Sequence, residues 1–180
     1  IAQELTINHP DRVKSLISIM SSGDIFDSEL PPISGKTAIE LIKVAAKYGI
    51  IGTESNLIKL HIASRIILMG TAQQTLDIRE IATHVLYNLR HRKGYNSSVS
   101  QQHQGAVTNS KSRYAALQKM TLPTLIIHGK ADPFIPLEHG QKMMDLMPHA
   151  DSLWLDNMGH DIPESLMDRI TDKIIRHLEF

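Results

Sequence analysis

"PTLIIHGKADPFIP", residues 123–136, is an apolar run that stops at Gly129 and gives way to Asp132 in a loop closed by Pro133 and Pro136. A strand that is apolar at successive positions is buried on both faces, and such strands belong to parallel sheets. Asp132 therefore stands just beyond the carboxyl end of a buried strand, the rim where open α/β sheets hold their ligands. Taken alone it is an ordinary signal, because Asp-Pro initiates turns and an aspartate there can cap the next helix.

Downstream, the pattern predicts a helix over 137–147, a strand over 152–155 and a helix from Pro163 to Leu178 with Leu166, Ile170, Ile174 and Leu178 at helical spacing. Pro163 suits a first helical turn, where its missing N–H costs nothing. Alternating strands and helices imply right-handed crossovers and a parallel sheet. His160, in "LDNMGHDIP", follows the second of these strands as Asp132 follows the first. Successive parallel strands thus deliver an acid and then an imidazole to one rim.

Upstream, "IAQELTINHPDRVKSLISIMSS" (1–22) begins as the back half of a helix, with Ile1 and Leu5 on one face and a stop at His9-Pro10. Val13 to Met20 follows as a strand buried on both faces. Ser21 and Ser22 end it, either lining a pocket floor or only closing the strand. Between the two sheet regions the spacing predicts helices over 34–49, 53–70, 75–92 and 97–119. Ser34 and Thr53 serve as N-terminal caps, Gly49 and Gly70 as C-terminal ones, and "RHRKG" suits the negative end of the third helix. That span is too long for a crossover connection and reads as an inserted cap. The organisation is α/β, with core over 1–33 and 120–180 and a helical cap over 34–119.

Composition removes several function classes. The chain has 180 residues, 42% of them hydrophobic, with 19 basic and 19 acidic side chains scattered along it. No basic footprint for nucleic acid or an anionic membrane is present. No apolar run reaches the ~20 residues that span a bilayer. Absence of cysteine removes disulfides, thiolate metal sites and a cysteine nucleophile, and fits a reducing, cytoplasmic setting. Ten histidines include no HExxH and no tight cluster with acids, so no metal or cofactor is expected.

The order acid then histidine is the tail of the Ser…Asp…His chain order of the α/β-hydrolases. "PTLIIHGKADPFIP" resembles the acid loop of that family, "LWLDNMGHDIP" its histidine loop, and residues 1–22 the helix and strand that follow its nucleophile elbow. "SSGDIFDSELPP" and the "GHDIP" ending resemble most the subgroup of aclacinomycin methylesterase-like esterases. The resemblance implies the C-terminal portion of an α/β-hydrolase parallel sheet, with Asp132 as the orienting acid and His160 as the general base. The family's G-x-S-x-G elbow does not occur in the sequence, so the resemblance places nucleophile and oxyanion donors upstream of Ile1.

The expected function is hydrolysis of a small apolar or aromatic carboxylic ester, with the remaining N-terminal segment of the fold as the partner that supplies the serine. This chain alone is then expected to be inactive. Two alternatives stand beside it: an epoxide hydrolase or dehalogenase with an aspartate nucleophile, for which Tyr48, Tyr87, Tyr95 and Tyr114 are lid acids to consider, and a non-catalytic binding protein of the same fold. Ser21, Ser22 and Met158 are candidate substrate contacts, Met158 being equally a gap filler. His128 reads as a packed structural histidine and Trp154 as core.

Overall fold

A computed structural model describes residues 1–72, 75–92 and 94–179. Its contacts divide the chain into two units: Ile1–Ser34 with Met69–Gln74 and Ser112–Phe180, and Gly35–Leu68 with Thr75–Lys111.

The first unit is built on a parallel sheet ordered β1-β2-β3, from Leu16–Ile19, Thr124–Gly129 and Ala150–Leu155. Leu16 pairs with Thr124, and Thr124 in turn with Ala150, so the three strands run in step. β2 lies in the middle and is buried throughout. Because strand side chains alternate between faces, Ile126 points into a cluster with Leu117, Met143, Met147 and Ala150, while Leu125 and Ile127 join Leu155, Met158 and Ile170 on the other side. Each such side chain contributes about 1.5–3 kcal/mol on burial, so β2 anchors both layers.

Helix α1 (Ala2–Asn8) ends at His9, which leaves the helical region at φ −139°, ψ 57° before Pro10, and a 3-10 turn over Pro10–Arg12 leads on to β1. β1 is shorter than the expected Val13–Met20. Val13 closes the 3-10 turn by donating its N–H to the Pro10 carbonyl, and Met20 turns to φ +46° just past the strand. The packed face of α1 is also not the one carrying Ile1 and Leu5, which are exposed. Gln3 and Thr6 are buried instead, and the Gln3 amide reaches Ser18 Oγ at 3.4 Å and Met143 Sδ at 3.2 Å while its oxygen accepts from Arg113 Nε at 2.7 Å.

In the helical unit, α2 (Gly35–Tyr48), α3 (Glu54–Leu68) and α4 (Ile78–His91) pack in sequence order, followed by α5 (Ser97–Thr108). Thr53 caps α3 by accepting from Asn56 N–H at 3.2 Å. α4 starts at Ile78 rather than near Thr75 because the Asp77 carboxylate accepts from the amides of Arg79 and Glu80. Asn96 does the same for α5 through Ser98 and Val99. The expected single helix over 97–119 is broken at Thr108. After the break, α6 (Tyr114–Leu117) belongs to the sheet-bearing unit, where Arg113 N–H bonds the Gly23 carbonyl and Leu117 is fully buried, so the helical region is shorter than 34–119. Two further helices, α7 (Leu137–Leu146) and α8 (Glu164–Leu178), flank β3 in sequence. Pro163 precedes α8 as its N-cap residue rather than lying in its first turn, and Leu178 at its far end is exposed.

Candidate active site

The loops after β2 and β3 are held together by backbone bonds. Lys130 N–H donates to the Leu155 carbonyl at 2.9 Å and Ala131 N–H to the Met158 carbonyl at 3.1 Å. Gly129 permits this approach: a Cβ there would lie 2.0 Å from the Met158 carbonyl oxygen. Gly70, at φ +61°, also lies close on the acid loop, since its Cβ would stand 2.6 Å from the Ala131 carbonyl oxygen.

That approach brings Asp132 to His160. His160 Nδ1 lies 2.8 Å from Asp132 Oδ2. A carboxylate only accepts, so Nδ1 carries the hydrogen and the neutral ring keeps its lone pair on Nε2. The other carboxylate oxygen, Oδ1, accepts from Phe134 N–H and Ile135 N–H, each at 2.8 Å. Both oxygens are thereby committed and the carboxylate cannot swing. The Asp132 side chain is fully buried while that of His160 is 22% exposed, so the imidazole is the member of the pair that solvent or a ligand can reach. The Phe134 ring stands 5.0 Å from the His160 ring at a 58° tilt, an aromatic neighbour that sequence reasoning missed.

His128 is a packed histidine with a specific bond, its Nε2 lying 2.8 Å from the Ile135 carbonyl oxygen. Burial lowers its pKa, outweighing the opposing pull of that carbonyl and of Asp132. Trp154 packs beside the Ile126 cluster.

The remaining candidates separate from the pair. Met158 is fully buried in the Leu125–Ile127 cluster, the placement that its gap-filling reading describes. Ser22 is buried, and its hydroxyl lies 2.9 Å from His139 Nδ1 and 2.7 Å from the Asp24 carbonyl oxygen while accepting from Asp24 N–H at 3.0 Å. That hydroxyl is committed to structure, and the bonds have nothing to do with His160. Ser21, half-buried, stands next to it at the end of β1. Among the tyrosines, Tyr114 donates its hydroxyl to Asp27 Oδ2 at 2.7 Å, and burial together with that carboxylate pushes the phenol well above its usual range. Neither the Ser22–His139 nor the Tyr114–Asp27 pair carried a signal in sequence, the partners being 117 and 87 positions apart. Among the described residues no group of three or more His, Asp or Glu side chains is placed to hold a metal ion. No described helix is long and apolar enough to cross a membrane.

A family model described as TAP-like protein, of the α/β-hydrolase type, matches residues 92–178. The rhodomycin D methylesterase DauP of Streptomyces sp. (strain C5) is 24% identical over 190 aligned residues, covering 98% of this chain and 62% of its own length. The chain thus spans about three-fifths of that relative. Among solved structures, the esterase EaEST from Exiguobacterium antarcticum aligns with TM-score 0.68 at 14% identity, over 99% of this chain and 62% of that one. The meta-cleavage product hydrolase CumD aligns with TM-score 0.67 at 16% identity, over 98% of this chain and 59% of that one.

Proposed function

We propose that this chain, whose fold is that of the α/β-hydrolases, provides the acid and the general base of a carboxylic-ester hydrolase. The observation that carries the reading is the 2.8 Å bond from His160 Nδ1–H to a buried, doubly anchored Asp132 carboxylate. It leaves Nε2 as the basic nitrogen. A serine from a segment preceding Ile1 attacks the ester carbonyl and His160 Nε2 takes its proton. The imidazolium, held by Asp132, then returns that proton to the departing alcohol, and water repeats the sequence to release the acid. The methylesterase relative supports an ester as the substrate class. The aliphatic content of the helical region favours an apolar or aromatic ester over a sugar or nucleotide.

The test is covalent. An alkyl fluorophosphonate reacts with an activated serine and stays on it. With the full-length protein, mass spectrometry should find the adduct on a peptide upstream of Ile1, and its formation should stop in His160→Ala. An adduct on Ser21 or Ser22 would overturn the assignment of the nucleophile. An adduct-free protein that hydrolyses no ester would favour a binding role, and turnover through an aspartyl intermediate would favour the epoxide hydrolase or dehalogenase chemistry.

A further inference from the structure

We propose that His128 is a positioning residue for Asp132, acting through the backbone of Ile135; this rests on Asp132 and His160 forming the acid–base pair. His128 is the penultimate residue of β2 and is fully buried. Its Nε2 lies 2.8 Å from the Ile135 carbonyl oxygen, and because a carbonyl only accepts, Nε2 carries the ring hydrogen. Ile135 is itself buried, and its own N–H is one of the two donors to Asp132 Oδ1. One residue is therefore gripped at both ends, its carbonyl by His128 and its amide by the acid.

The second feature is what His128 does not do. Its Nε2 is 3.6 Å from Asp132 Oδ2, the oxygen that receives His160 Nδ1–H. That separation is too long for a hydrogen bond. The nearest competing donor for Oδ2 is thus directed to Ile135, and Oδ2 stays available to His160. The ring is locked in this tautomer from its far edge. Nδ1 has no hydrogen-bond partner among the described residues, and helix α7 presses against it at Gly140, where a Cβ would come within 2.7 Å. A second ring proton at Nδ1 would find no acceptor there, in keeping with the lowered pKa that burial gives the group. A leucine would fill the same volume yet leave the buried Ile135 carbonyl without a donor, and the turn that presents two amides to Asp132 would lose its back support.

The experiment compares His128→Asn, His128→Gln and Asp132→Asn in the full-length protein. The readout is the hydrogen-bonded Nδ1–H proton of His160 in ¹⁵N-resolved NMR, followed with ester turnover. A glutamine amide reaches roughly where Nε2 stands, whereas the shorter asparagine amide does not. Asn should abolish or broaden the His160 Nδ1–H signal and lower kcat about 10- to 100-fold with KM little changed, as expected for sub-ångström misplacement of a catalytic group. Gln should restore both. An unaltered signal and kcat in His128→Asn would overturn the inference, as would loss of both in a Gln variant of wild-type stability. If the Asn variant does not fold, the Gln variant alone decides in the same way. A signal that survives Asp132→Asn would show instead that the acid–base pair itself is misassigned, a failure distinct from that of His128.

Discussion

From Thr124 to Gly129 every residue of β2 is buried, whereas α2 buries Thr37 and leaves Ile39 and Ile42 at 54% and 67% exposed. The contrast extends to the centre of each unit. The sheet-bearing unit closes two apolar clusters around β2, while α3 contains no buried residue and α4 buries Ile81 and Val85 alone. A central parallel strand has both faces covered by its own crossover helices. A helix in a small stack has one covered stripe, and apolar residues off that stripe stay in water. The proposed acid and base follow the same division, since Asp132 trails the buried strand β2, His160 lies in the loop after β3 and His128 is the penultimate residue of β2.

The sharpest way to break the comparison is to separate activity from the sheet. In the full-length enzyme, His160→Ala should lower turnover by several orders of magnitude, and Asp132→Asn by up to about 10⁴-fold because the amide favours the wrong imidazole tautomer. Tyr87→Phe, on an exposed position of α4, should leave kcat unchanged. Steady-state rates on an activated aryl ester measure all three. A large loss in Tyr87→Phe would move the chemistry to the helical unit and revive the epoxide hydrolase alternative.

Stability should divide along the same line. Leu125→Ala removes a fully buried side chain from the middle of the sheet and should cost about 2–5 kcal/mol. Gly129→Ala should cost at least as much, because its methyl meets the Met158 carbonyl and parts the two loops. Urea unfolding at pH 7 checks both, and a cost under about 1 kcal/mol for Leu125→Ala would show β2 to be less central than its burial implies.

Why the acid and the histidine were legible and their surroundings were not follows from distance along the chain. Asp132 and His160 each trail a strand whose apolar run is local, so strand order alone carries them to one rim. Phe134 against His160 depends on the path of a loop, which composition does not encode. The break after Thr108 is legible only through Arg113, whose guanidinium reaches Gln3 at 2.7 Å and the Ser22 carbonyl at 2.9 Å across separations of 110 and 91 positions. Met158 shows the same limit: nearness to His160 in sequence left contact and gap filling equally open, and its burial among Leu125, Ile127 and Leu155 depends on residues far along the chain.

Acid should erode the two units together, though through different histidines. Burial lowers the pKa of His128 and His177 in the sheet-bearing unit and of His61 in the helical one. A histidine whose folded pKa lies below its unfolded value, about 6.5, takes up protons more readily in the unfolded chain. Stability is therefore complete above that pH and is lost progressively as pH falls below it. Asp151, lowered by Lys173, and Asp156, lowered by Lys130, add a second loss below the ordinary carboxylate range, about pH 4. Urea midpoints at pH 7, 6 and 5 should decline in order, and His128→Gln should flatten the decline. A midpoint that holds or rises toward pH 5 would contradict the sign.

The smallest expected effect bears hardest on the comparison. Ile42 stands on the exposed side of α2, and replacing an exposed side chain away from caps and buried networks usually changes stability by no more than about 0.5 kcal/mol. Ile42→Ala should fall in that range, toward its stabilising side, since alanine is the stronger helix former. A truncation of the same kind that costs several kcal/mol in β2 would then be nearly silent in α2, with burial as the main difference between the two. The check is a pair of urea curves, Ile42→Ala and Leu125→Ala, in the same full-length background. If Ile42→Ala proves as costly as Leu125→Ala, the exposed face of α2 is covered in the folded protein and the contrast with β2 fails.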